Sequence, residues 1–194
     1  MATVVSNIGT WMNTVGSGWL MTELSPDPLT VAMVQVATMA PAFLLALPSG
    51  AVADLLDRRR LLLAVNGGMA LVAATLAALV ALGWMNAGLL LLFAFLLGSG
   101  AAFIAPAWLS IVPQLVPRET LSQAIALNSL GINVSRAIGP AFAGLLVVAV
   151  GFVAPFSLNA LSFLVIVAAL TWWSPAPRAA SSLPAEGLGE AMLT

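Results

Sequence analysis

Arg136 is the one cation set inside a long apolar run, and Ser129, Asn133 and Pro140 stand around it at steps of four, three and four residues. On a helix those steps place all four residues on one face. A charge inside a bilayer is costly and belongs on a cavity, a pathway or a partner, so that face cannot look at lipid. Two readings follow: a positively charged wall of a central cavity that attracts anionic or hydrogen-bonding groups, or a structural tie to a neighbouring helix. The cavity is the reading carried forward. Near the N-terminus, Asn7, Thr10, Thr14 and Ser17 step by three, four and three residues and align on one side of a helix. Neutral polar side chains of this kind either line a cavity or join helices by hydrogen bonds, and the spacing admits both equally.

Other chemistry is excluded by residue type. The chain has no Cys, no His and no Lys, so disulfides, Cys/His metal sites and His-activated nucleophiles have no residues to form them. Gly98-Ser99-Gly100 resembles a nucleophile turn, but no His exists to activate the serine, and no paired intramembrane acids are present. Catalytic residues, metal ligands and cofactors are therefore expected to be none. With six arginines, seven acids and a formal net charge of −1, no basic surface for nucleic acid is expected.

The elements that must position these residues are membrane helices. Of the 194 residues, 61% are hydrophobic and 7% charged, too little polarity to cover a water-soluble surface. A bilayer core of about 30 Å needs roughly 20 helical residues, and six stretches qualify: 3–24, 29–53, 61–82, 89–112, 120–150 and 152–173. The first carries Trp11, Trp19, Asn7 and Asn13 without a basic leader, so it reads as a span and not a signal peptide. Pro26-Asp27-Pro28, the charged knot Asp54 to Arg60, Gly83 to Gly88 and Pro113 to Glu119 supply the breaks. The fifth stretch exceeds what a membrane needs and is expected to tilt or bend at Gly139-Pro140. Small residues Gly131, Ser135 and Gly139 suit close packing of another helix. Residues 1–173 form the transmembrane domain, and the Pro- and Ser-rich residues 174–194 are expected to be a cytoplasmic linker or tail. Arg58, Arg59, Arg60, Arg118 and Arg178 all fall on one side of such a bundle. The positive-inside rule makes that side, and both termini, cytoplasmic.

The run from Gly50 to Arg60 is the most specific feature. Two acids, Asp54 and Asp57, precede three arginines, Arg58 to Arg60, at a helix junction where Gly50 would allow close backbone contact. The segment resembles the signature loop of the major facilitator superfamily between its helices 2 and 3: Gly50, Asp54, Arg59 and Arg60 match. Leu55 stands where a basic residue is usual and Asp57 where a second Gly is usual, as in the Asp-Arg-Arg variant of one exporter branch. Gly139-Pro140-Ala141-Phe142-Ala143-Gly144 resembles the Gly-Pro motif of drug/proton antiporters, with Ala143 in place of one usual Gly. With Ser6 to Trp11, Leu127-Asn128-Ser129 and Ser157 to Ala160, the whole chain resembles the transmembrane secretion effector branch, which includes enterobactin-type siderophore exporters.

The resemblance implies an all-α integral membrane fold, the N-terminal six-helix half of a major facilitator transporter built from inverted repeats of three plus three helices. It implies that Asp54 and Arg58 to Arg60 form a gating latch, and that Gly139, Pro140 and Gly144 bend the fifth helix. Twelve helices are usual in that superfamily, so the chain is expected to be a truncation whose partner is a missing C-terminal half or a second copy. The expected activity is proton-coupled efflux of a small amphiphilic or siderophore-like molecule across the bacterial inner membrane. The alternative is a non-transporting fragment or six-helix subunit that acts only with a partner half. No acid lies at mid-membrane, so coupling carboxylates are expected from that partner, or less favourably from Asp54 and Glu23 near the membrane edges.

Overall fold

A computed structural model describes residues 2–172 other than Pro117. The expected linker, 174–194, lies outside the described residues. Among the described residues, seven α-helices run in order: α1 (Ala2–Leu24), α2 (Pro28–Leu44), α3 (Ala46–Leu55), α4 (Arg58–Ala81), α5 (Ala87–Leu115), α6 (Leu121–Val150) and α7 (Val153–Trp172). Their ends follow from local chemistry. Pro28 opens α2 at its first position, where no N–H is needed, and the Asp27 carboxylate accepts from the Thr30 amide and hydroxyl. Asp57 caps α4 by accepting from the Arg60 amide, and Asn86 caps α5 by accepting from the Leu89 amide. Gly83 and Gly151, at φ of 70° and 88°, turn the chain after α4 and α6 in the left-handed region that glycine alone enters freely.

Two helices differ from expectation. The second apolar stretch is not one rod: α2 and α3 meet at Leu45 with a bend of 53°. Pro41 and Pro48 flank the break, each removing a backbone donor from the helical ladder. By length and apolarity four helices among the described residues can cross a membrane (α4, α5 over Ala87–Trp108, α6 and α7), and α2 with α3 makes five if the bent pair is one span. The helix that falls short of the expected six is α1. It is long enough at 23 residues, but its Asn, Thr and Ser side chains dilute its apolar character. The fifth expected span, α6, continues as helix through Gly139 and Pro140.

The helices pack in pairs: α4 on α7, α1 on α6 and α7, and α5 on α2 and α4. The pattern is preserved when α1, α2 and α4 exchange with α5, α6 and α7. One apolar cluster gathers Met21, Ala73, Leu76, Leu90 and Phe156 between α1, α4, α5 and α7, and a second gathers Ala53, Leu62, Ala107, Ile111 and Leu170 at the other end of α4 and α7. Between helices in lipid there is little hydrophobic drive, so close van der Waals approach must hold them. Glycines make it possible. A Cβ on Gly98 of α5 would overlap the Thr38 carbonyl of α2, and one on Gly9 of α1 would lie 2.5 Å from Ser162 Oγ of α7.

Candidate functional site

The loop between α3 and α4 divides its work among residues the sequence had grouped as one network. Asp57 is a helix cap. Arg59 reaches across to the end of α7, donating from Nε to the Leu170 carbonyl (2.9 Å) and from Nη2 to the Thr171 carbonyl (3.0 Å). Both carbonyls lie toward the C-terminal, negative end of the helix dipole, where a guanidinium is favoured. Arg60 is exposed and Arg58 half-buried, while a Cβ on Gly50 would meet no atom within 4 Å. The Asp54 side chain lies outside the described residues.

Arg136 sits on the exposed side of α6 with its guanidinium carbon 5.2 Å from the centroid of the Trp11 ring. The neighbour that makes this possible is Gly139, against which the Trp11 Cβ packs; a side chain there would come within 2.5 Å of it. The small face of α6 lies along α1 as its spacing implied. Buried Ser135 donates to the carbonyls of Gly131 in its own helix (2.7 Å) and Val4 in α1 (3.2 Å). Asn133 is exposed and donates to the Ser129 carbonyl, also exposed, one turn back. Pro140 is half-buried in the same stretch, and Gly144 lies beside Trp19.

A cavity of about 380 Å³ opens between α1, α4, α5 and α7, with Thr38 of α2 and Asn128 of α6 at its margin. Its polar wall is α1, which contributes Asn7, Thr10, Asn13 and Thr14. Leu97, Ile104 and Trp108 of α5 and Phe163, Ile166 and Leu170 of α7 make it apolar elsewhere. Among the described residues, no charged side chain lines it. Of the residues expected to form a cavity, Asn7, Thr10 and Thr14 are brought together here. Ser17, on the same stripe, is buried beyond the cavity lining, and Arg136, Asn133 and Ser129 lie outside it.

Three buried carboxamides stand outside the residues expected to form a site: Asn13, Asn66 and Asn159. All line the cavity, with exposures of 8%, 3% and 1%. Asn13 was legible, standing three residues after Thr10 and four before Ser17 on the same face. Asn159 is the one carboxamide in the α7 sequence, a signal of the same kind. Asn66 donates from Nδ2 to the Leu62 carbonyl (2.7 Å), whereas the Oδ1 atoms of Asn13 and Asn159 are sealed with no hydrogen-bond partner. No group of three or more acids among the described residues could hold a metal.

Comparison with known proteins agrees with this architecture. The family model described as transmembrane secretion effector matches residues 1–194. The chain is 29% identical over 140 residues to a staphyloferrin A transporter of Staphylococcus aureus, covering 72% of this chain and 35% of that protein. It is 25% identical over 160 residues to YfiS of Bacillus subtilis, an uncharacterized MFS-type transporter, covering 82% of this chain and 37% of that protein. The matches thus span little more than a third of each relative's length. A multi-helix apolar bundle and a family match along the whole sequence place this chain among multi-pass membrane transporters: it belongs to the transmembrane secretion effector family of the major facilitator superfamily.

Proposed function

We propose that this chain is the N-terminal six-span half of an exporter, which moves small amphiphilic or siderophore-like molecules outward across a bacterial inner membrane by proton antiport. In this reading α1, the bent pair α2–α3, α4, α5, α6 and α7 are the spans. The exchange symmetry of their packing supports two three-helix repeats, which this reading takes as inverted. The observation that carries the proposal is the cavity walled by α1 on its polar side. A helix too polar to be a good lipid-facing span is tolerable when its polar stripe borders a water- or cargo-filled space. Both termini are cytoplasmic because the loop arginines are.

A second half completes the transporter, from a C-terminal continuation or another copy. Asp54 and the arginines beside it would latch against that half, while Arg59 anchors the loop to α7. Arg136, on the exposed side of α6, would face the shared pathway and draw in electron-rich cargo. Proton-coupling carboxylates would come from the second half. The relative named as a staphyloferrin A transporter supports a small-molecule cargo.

Everted membrane vesicles carrying this chain with a second half test the proposal. Vesicles energised to an acidic, positive interior should accumulate a labelled siderophore, and a protonophore should abolish the accumulation. Accumulation that ignores the proton gradient would remove antiport, and none at all with siderophores or neutral amphiphiles would favour the non-transporting subunit.

A further inference from the structure

Of the helices that singly suit a membrane, α6 is the least covered. Only Ser135, Gly139 and Ala143 of its residues are buried, at steps of four, on the side that Ser135 and Gly139 press against α1. Ser129, Asn133 and Arg136 lie on a different face and are exposed. Since α6 runs Leu121–Val150, fifteen of its residues precede Arg136 and fourteen follow. The cation thus stands about 21–23 Å along the helix from either end. A snorkelling side chain reaches neither surface of the bilayer from there.

No acid of this chain stands at that depth. Among the described residues every acid is at a helix end: Glu23 is next to last in α1, Asp54 is next to last in α3, Asp27 and Asp57 precede α2 and α4, and Glu119 precedes α6. The other two, Glu186 and Glu190, belong to the Pro- and Ser-rich residues 174–194, which contain no apolar run long enough to span. The Trp11 ring attracts the guanidinium but carries no net charge, and that attraction is smaller than the cost of a lone cation at mid-bilayer. Asn133 is a dipole whose Nδ2 is already turned back on the Ser129 carbonyl.

The charge therefore selects what covers this face. Lipid tails would leave it in hydrocarbon. A second copy fails by sequence, whichever face it presents, because its spans hold no carboxylate away from their ends. A two-fold contact through α6 would also set Arg136 against its own image. A helix with one carboxylate at the right depth supplies a charge-assisted pair that the planar guanidinium fork fits and that an apolar medium strengthens. We infer that the α6 face around Arg136 docks a transmembrane helix of another sequence whose carboxylate stands level with Arg136, and that a second copy of this chain does not take its place. The inference rests on the proposed second half for the source of that helix. It narrows that reading by naming the chemistry of the facing helix and by removing the second copy as its source.

Förster transfer in lipid vesicles tests this, between a donor on the 194-residue chain at Trp84→Cys and an acceptor on the end of a synthetic Leu-Ala transmembrane helix with Glu at its centre. Helices with Gln or Lys at the centre are the comparisons, and a mildly alkaline buffer keeps the Glu ionised beside the arginine. The Glu helix is expected to bind roughly ten-fold or more tighter than the Gln helix, the scale of one charge-assisted pair. Arg136→Leu should abolish that preference, and Arg136→Glu should transfer it to the Lys helix. Transfer between donor- and acceptor-labelled copies of the unmodified chain should not exceed that between copies of Arg136→Leu. Equal binding of the Glu and Gln helices overturns the proposal, as does a Glu preference that survives in Arg136→Leu. Greater transfer between unmodified copies than between Arg136→Leu copies overturns it by seating a second copy on the face. None of these readings needs transport: a failed accumulation assay leaves the pairing standing, and equal binding of the two helices leaves the export reading standing.

Discussion

The Arg136 guanidinium lies over the Trp11 indole of α1, 5.2 Å from the ring centroid, and Trp11 in turn rests on Gly139, one turn along α6 from the arginine it carries. A cation is thus held at an interhelical seam by the electron-rich face of an aromatic ring, leaving its hydrogen-bond donors free of a carboxylate's grip. Such a contact is worth about 0.5–1 kcal/mol where exposed and about 2 kcal/mol when desolvated.

Arg136→Ala and Trp11→Leu should each lower export by the completed transporter without lowering the amount of protein in the membrane. Their effects on thermal stability in detergent should be coupled by about 0.5–2 kcal/mol in a double-mutant cycle. Strictly additive stability effects would show that the contact contributes nothing, and unchanged export in Arg136→Ala would remove the residue from the pathway.

Gly98→Ala should push α2 and α5 apart, because the new methyl meets the Thr38 carbonyl, part of a backbone that cannot rotate away. Overpacking of this kind costs about 1–3 kcal/mol. Gly68→Ala, where a Cβ meets nothing within 4 Å, is the control and should be neutral or stabilising by up to about 1 kcal/mol. Comparing the melting of the two variants in detergent decides the matter, and equal melting temperatures would contradict the close approach.

Arg59→Ala should fray the last turn of α7, since the Leu170 and Thr171 carbonyls each lose a charged donor. The expected loss is about 1–3 kcal/mol, read as faster amide exchange in the last turn of α7. Arg59→Lys should recover only part of it, because an ammonium cannot span two carbonyls as a planar fork does.

The Asp27 carboxyl is held below its ordinary value of 3.8 by the hydrogen bond from the Thr30 hydroxyl and, next, by that from the Thr30 amide. A lowered folded-state value means the cap's contribution is complete above the unfolded value and is lost as pH falls through the folded one. Exchange protection of the Thr30 amide should therefore be flat from neutral pH down to about 4 and fail only in stronger acid. Asp27→Asn should keep the cap and abolish the acid dependence.

Single cysteines report the orientation cleanly, because the chain contains none of its own. Trp84→Cys, in the exposed turn after α4, should react with an impermeant maleimide from outside intact spheroplasts. Ser122→Cys, at the exposed start of α6, should react only after permeabilisation. The reverse pattern would overturn the inside assignment of the arginine loops.

The helical class, the main breaks and the spacing that brings α6 close to α1 were legible in the sequence. Each rests on short-range rules: apolar run length, Pro and Gly as breakers, Asp and Asn as caps, and small residues at steps of four. The family was legible too, through the Gly50 to Arg60 loop. What a single sequence could not assign was which partner each polar group would meet. Arg59 and Leu170 are 111 residues apart in the chain, and nothing local to the arginine distinguishes it from Arg58 or Arg60. Arg136 has the spacing of a cavity residue, yet the rotation of α6 about its axis, set by Gly139 against Trp11, turns it away from the pocket within this half. Asn13 and Thr14 are neighbours on α1 and both line the cavity, but only the packing of α7 against that helix seals the Asn13 oxygen. Helical periodicity determines which side chains share a face; only the tertiary structure decides what that face is pressed against, because burial and pairing depend on helices far apart in sequence.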